Sequence, residues 1–593
     1  MKNLKFKRIF TLLLLLVLVA AGAAGANYAK QHPGSIFVDT KSDARGQEAF
    51  SEFVDQLFRS QAAGNTINLH YTLRNPENYG ITDYPITFGE FSKKSHQESV
   101  AALENLKAAL EGFTAQDFDV SARLTYDILR EEVENGIDQA EYYYYQEPLR
   151  PSTGVQGELP VLLAEYAFYD EGDVQDYLAL LEQMPEYFRQ ILLFEMEKAN
   201  AGLFMSQFAA EDIINQCKNF ASDVENNYLI STFVDKINGM DCLDQEQRLF
   251  YQQQNKKAVL ESVIPAYETM IQGLEKLKNA GKNQQGLCHL PKGKEYYQYL
   301  VKSYTGSDHS IEELKKACER QRAEDLTQAA KLISEHPDLL TQSVSYAFAQ
   351  QEPAEILQEL QEKMKEDFPA PPDTNFTIKY VHPSLEEFMA PAFYLAVPID
   401  DFSQNSIYIN QSNNYQKLKL YTTLAHEGYP GHLYQNVMER SQNFPAIRSL
   451  LGTSGYSEGW ATYVEMLSYS YAELDGSLAS LLQKDQSALL SLYASADFGI
   501  HYDGWSLEDL IDFFAEYQIT DQEALTEIYH LIVEEPAHYL KYYIGYLEFL
   551  QLKKDAKEQF GESYSDYKFH LALMKMGPAQ FSILQKYLPE YYE

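Results

Sequence analysis

Between about Ala49 and Phe368, apolar residues return every three to four positions. One set is Val100, Leu103, Leu106, Leu110 and Phe113; another is Leu260, Ile264, Tyr267, Ile271 and Leu274; a third is Leu357, Leu360 and Met364. This spacing puts each set on one face of a helix and predicts a helical region whose stripes form the core. The intervening Glu, Gln and Lys read as solvated helix faces. At Phe368 to Asp373, FPAPPD, two adjacent prolines and the loss of apolar period end the helical pattern. Three short runs follow, Phe376 to Val381, Phe393 to Val397 and Ser406 to Asn410, rich in β-branched or aromatic residues and bounded by Pro, Asp or Asn. They predict a small sheet. Helical patterning resumes after Asn414 and holds to the C-terminus, apart from loops near 441–456, 499–506 and 534–537. The expectation is a mainly α protein with a small β-sheet and no internal repeat.

The N-terminus has a different pattern. Lys2, Lys5, Lys7 and Arg8 precede an apolar run from Ile9 to Ala24, and the segment ends in small residues, Ala24-Gly25-Ala26. This is the layout of a signal peptide cleaved after Ala26. The apolar run is shorter than the roughly 20 residues of a membrane span, although an uncleaved anchor is the alternative reading. No Cys follows to receive a lipid. The expected organisation is therefore a leader over 1–26, a helical region over 27–370 and a second region over 371–593. The expected location is outside the cytoplasmic membrane, secreted or anchored at the N-terminus.

Composition narrows the function. The chain has 593 residues, three or four domains' worth at about 150 residues each, which an all-α assembly can merge into one body. With 45% hydrophobic residues and no low-complexity tract, it is neither disordered nor fibrous. The formal charge of −38, or −42 once the four cations of the leader are removed, repels polyanions and argues against nucleic acid as a partner. Cys217, Cys242, Cys288 and Cys318 lack the CxxC spacing of a zinc or redox site. They are compatible with two bridges in any of three connectivities, or with burial as thiols.

The chemistry concentrates in Thr422 to His432, TTLAHEGYPGH. A His-Glu pair on a helix can supply one metal ligand and the carboxylate that deprotonates a metal-activated water. In HExxH the two imidazoles are four residues apart and only about 40° round the helix. Here His426 and His432 are six apart, which on an unbroken helix is about 120°. Both can reach one ion only if the helix is distorted. Pro430, which lacks an N–H for the His426 carbonyl, and Gly431 offer the means. Glu458 follows His432 by 26 residues in SEGWATYVE. Glu465, seven residues further and about 20° round the same face, is placed to hold a ligand by hydrogen bond.

SEGWATYVE resembles the EGFA segment of the gluzincins, in which the glutamate of a following helix is the third zinc ligand. More broadly, HEGYPGH, EGWATYVE, GIHYDGW (Gly499 to Trp505), PAHYLKYYIG (Pro536 to Gly545) and FHLALMKMGP (Phe569 to Pro578) occur in an order that resembles a bacterial family of unknown function in the zincin-like metallopeptidase clan. The fourth segment departs from the family's PGQAxxY, with Ala537, His538 and Tyr539 at the Gly, Gln and Ala positions, while Tyr542 is retained. The resemblance implies a helical zincin-like peptidase binding one Zn2+ through His426, His432 and Glu458. It further implies Glu427 as general base and His501 and Tyr542 as groups facing the metal, where either could donate to the oxyanion. His538 and His570 are further candidates. The plainer reading is that His501 orders its turn and that Tyr542 packs in the core.

The expected function is an exported zinc peptidase acting on peptide or protein, with Ser406 to Asn410 as an edge on which substrate pairs. Two rivals stand beside it. One is a non-catalytic cell-surface protein that holds peptide or glycan on the same scaffold. The other is a glycan hydrolase, for which no carboxylate pair stands out.

Overall fold

Strong local signals start the helices that frame the molecule. In the computed structural model, which describes residues 46–381, 383, 386, 390–412 and 420–592, these signals recur from end to end. The leader 1–26 lies outside the described residues. Helix α1 is Val155–Glu165. Asp170 caps α2 (Glu171–Ala201) in a capping box with Asp173, satisfying N–H groups that a helix start leaves bare. Helices α3 (Ile264–Leu277), α4 (Gly293–Thr305), α5 (Ile311–Glu335) and α6 (Pro353–Lys363) follow. The sequence stripes are their inner faces: Ile264, Tyr267 and Leu274 are buried in one core, Leu357, Leu360 and Met364 in another.

Beyond the proline-rich break, three strands form one mixed sheet: β1 (Asn375–Tyr380), β2 (Ala392–Leu395) and β3 (Gln404–Ile409). The order is β1-β3-β2, with β1 parallel and β2 antiparallel to β3. This corrects one expectation. The run at Ser406 to Asn410 falls on β3, the central strand, whose backbone is paired on both sides and has no edge to offer a peptide. Among the described residues, the edges are β1 and β2. After them come α7 (Leu420–Glu427), α8 (His432–Ser441), α9 (Ser454–Ser468), α10 (Gly476–Phe498), α11 (His538–Phe560) and α12 (Asp566–Met576). Residues 499–503, expected as loop, continue α10 as a π-helical turn. At 71% helix the molecule is mainly α.

The cores divide the chain differently from its secondary structure. One core is built wholly from residues between Ile67 and Leu274. The larger one joins Phe50 to Tyr145, Leu287 to Phe368 and Ala392 to Leu588, so helices from both sides of the break share it. The reason is packing: α4 and α5 lie against α9, α10 and α11. The possibility of two disulfides is not realised. All four cysteines are free thiols, with Cys217 and Cys318 buried and pushed up to about 12 by that burial.

Candidate metal centre

Helix α7 buries Tyr421, Leu424 and Ala425 and ends on His426 and Glu427. The helix is not merely kinked after this point. It stops, turns through Gly428 to Gly431, and a new helix, α8, begins at His432. Gly431 is obligatory, because a Cβ there would lie 1.8 Å from the His426 carbonyl oxygen and 2.3 Å from that of Ala425. The turn is clamped from α9, where Trp460 Nε1 donates to the Pro430 carbonyl at 2.9 Å. This break returns His432 to His426: the two ring centroids are 4.9 Å apart at 83°.

Glu458 approaches from α9, one turn past the Thr453 cap, and is fully buried. Ligand atoms of His426, His432 and Glu458 all lie within 4.8 Å of one another. Both Nε2 atoms stand 3.5 Å from Glu458 Oε2, charge contacts that fall short of hydrogen bonds. His426 Nε2, His432 Nε2 and both Glu458 oxygens are buried with no hydrogen-bond partner. Buried polar atoms are almost always paired, and leaving one unpaired costs about 1–3 kcal/mol. Four such atoms facing one another fit a cation between them, and two imidazoles with one carboxylate are a zinc donor set. The back of His426 is held as well, its Nδ1–H donating to Glu465 Oε2 at 3.2 Å, the outer contact that fixes a ligand's tautomer.

The electrostatics agree. Burial alone would raise the Glu458 carboxyl, but Lys541 and the two imidazoles hold it well below the usual carboxylate range. Burial opposes charge on His426, yet Glu458 and Glu465 outweigh it and push that imidazole up to about 10. Glu427 is buried beside this set, and burial lifts its carboxyl against the pull of His426 and His432. Its Oε2 accepts the backbone N–H of Tyr394 at 2.9 Å, which ties it to β2.

The remaining wall comes from α11. Gly459 on α9 meets Gly545 on α11 so closely that a Cβ on Gly459 would lie 2.5 Å from the Gly545 Cα. That crossing brings the preceding turn of α11 to the centre. Lys541 Nζ is 3.6 Å from Glu458 Oε1, and the Tyr542 ring centroid is 6.4 Å from that of His426 and 5.7 Å from that of His538. His538 is buried, and its imidazole is held well below its ordinary value by that burial and by Lys541.

The chain matches, over residues 78–588, the family described as "Bacterial protein of unknown function (DUF885)". It belongs to this family. Two solved structures share the fold. A candidate lipoprotein from Colwellia psychrerythraea superposes with a TM-score of 0.80 at 19% identity, over 93% of this chain and 100% of that one. A candidate lipoprotein of unknown function from Shewanella oneidensis gives 0.63 at 16% identity, over 92% and 100%. No match is found among curated proteins. Of the five sequence segments singled out above, the first two supply His426, Glu427, His432, Glu458 and Glu465, and the fourth supplies Tyr542.

The third and fifth motifs do something else. His501 is fully buried with both ring nitrogens engaged by backbone: Nδ1 accepts from Leu287 N–H at 3.1 Å and Nε2–H donates to the Ile532 carbonyl at 2.7 Å. No nitrogen remains for an oxyanion, which corrects the expectation that His501 faces the metal. His570 is likewise spent, on the Asp367 carbonyl at 2.7 Å and the Tyr463 hydroxyl at 2.9 Å. Conversely, Lys541, Tyr394 and the Trp460 clamp belong to the site although sequence reasoning does not single them out. Trp460 and Lys541 lie inside the second and fourth segments and Tyr394 inside a β-like run, but their residue types and local spacing do not mark the contacts they make.

Among the described residues, no helix is long and apolar enough to cross a membrane.

Proposed function

We propose that this protein is an exported zinc peptidase in which His426, His432 and Glu458 hold one Zn2+ and Glu427 is the general base. The observation that carries this reading is the set of four orphaned, buried ligand atoms facing one another beside a carboxylate that ligates nothing. A zinc ion bound there supplies a Lewis acid for the scissile carbonyl and lowers the pKa of water. Glu427 takes the proton of the attacking water and passes it to the leaving amine, a transfer aided by burial, which raises its proton affinity. The Tyr394 N–H holds that carboxylate in place.

Tyr542, beside His426, takes over the oxyanion role expected of His501, and such a donor lowers the barrier by ~3–4 kcal/mol. Peptide pairing moves from β3 to the edge strand β2, whose Tyr394 already reaches Glu427. The leader 1–26 and the lipoprotein designation of both structural neighbours support a location outside the cytoplasmic membrane.

Purified protein is expected to carry about one zinc, to cleave mixed peptides, and to stop when a chelator removes the metal. Glu427→Gln should keep the zinc and lose cleavage. Retained cleavage in that variant sinks the mechanism. Peptide or glycan binding with no cleavage by the wild type points instead to a non-catalytic scaffold.

A further inference from the structure

The helix face that begins with His432 continues away from the metal centre. Asn436, four residues on, is about 40° round, and Glu439, seven on, is about 20° round. That face lines a cavity of about 730 Å³. The other walls also grow out of the centre: Ser457 adjoins Glu458 on α9, and Ala396 and Val397 follow β2 directly. Every element that contributes Glu427's partner or a metal ligand beyond α7 therefore runs on into this space.

The cavity is locally basic in a chain of net charge −38. Arg440, Arg448 and the exposed Arg59 line it, against Glu439 and Asp55. Arg448 is only 3% exposed, and its guanidinium is fixed by Nη2 donating to the carbonyls of Met576 at 2.8 Å and Pro578 at 3.1 Å. Its Nε is buried with no hydrogen-bond partner, as are Arg440 Nε and Glu439 Oε1. Burial pushes Arg448 down to about 10 although Glu439 is near, so the cation is only partly compensated. Two guanidinium groups that line one cavity, with their Nε–H groups enclosed by the protein, have their terminal N–H groups left to meet a carboxylate, which accepts in the plane of the fork.

We infer that this cavity is a subsite for a carboxylate of the peptide substrate, held by Arg440 and Arg448 and approached past Arg59. The inference rests on the peptidase reading and names its substrate class. Arg440 lies eight residues beyond His432, about 12 Å along the helix, which is three to four residues of extended peptide at about 3.3 Å each. The carboxylate is therefore an Asp or Glu side chain a few residues from the scissile bond, or the C-terminus itself.

The test uses full-length Glu427→Gln protein loaded with zinc and fluorescein-labelled octapeptides in matched pairs. Each pair carries Glu or Gln at one position, with a free or an amidated C-terminus. Anisotropy should show about tenfold tighter binding for Glu at one position, or for the free C-terminus, which tells the two sources apart. Arg440→Gln should remove that ratio and Arg59→Gln, at the rim, should narrow it, so the inference does not depend on one variant folding. Equal binding across all pairs, or a ratio that survives both substitutions, overturns the subsite. Cleavage of mixed peptides by the wild type is measured separately. Cleavage there with no carboxylate preference here removes the subsite and leaves the peptidase reading standing; no cleavage with a preference here does the reverse.

Discussion

His426 and His501 are both buried, both carried on helical turns and both inside segments that the sequence singles out, yet they are wired in opposite ways. At His501 the Leu287 N–H and the Ile532 carbonyl use both ring nitrogens. Burial pushes this imidazole down to about 4, so it is a neutral strut between two backbone segments. At His426 one nitrogen is held by Glu465, while the other has no hydrogen-bond partner and stands among three more orphaned atoms. Burial is common to both. What differs is whether the surrounding backbone completes the ring's hydrogen bonds or leaves them to a ligand, and that difference separates a structural histidine from one that can bind metal.

Four substitutions probe this contrast, in descending order of effect on activity. Glu427→Gln should lower kcat by about 10³-fold with zinc content unchanged; a smaller loss would mean the base lies elsewhere. Gly431→Ala forces a methyl into the carbonyls of Ala425 and His426 and displaces His432. With one of the three ligands displaced, metal analysis after dialysis should find the protein largely zinc-free. Glu465→Gln keeps the fold and weakens the hold on His426, so zinc affinity by competition with a chelator should fall by about tenfold. An unchanged affinity would show that Glu465 does not orient the ligand.

His501→Phe should act only on stability. It leaves the Leu287 N–H and the Ile532 carbonyl unpaired at about 2 kcal/mol, read as a lower denaturant midpoint with the same kcat/KM per folded molecule. If kcat/KM fell with the zinc still bound, the strut reading of His501 would be wrong.

Much of the site is legible in the amino-acid sequence because its chemistry is written in residue type and short spacing. The His-Glu pair, Pro430-Gly431 and Glu458 each carry a local meaning, and so does the requirement that the helix break. The arrangement of the sheet is not legible there. Three β-like runs say nothing of strand order, and β3 is central only because β1 and β2 both choose it as partner. Lys541 is equally hidden. Its place beside Glu458 depends on Gly459 meeting Gly545 across two helices, a contact between residues 86 positions apart in the chain.

The amino-acid order alone determined where helices run, because apolar period and breakers act over a few residues. It also determined which ligand types are present, because side-chain chemistry travels with the residue. The tertiary structure alone decided which imidazoles were completed by backbone and which were left to converge with Glu458. Hydrogen bonding and burial depend on segments that meet only when distant parts of the chain share one core.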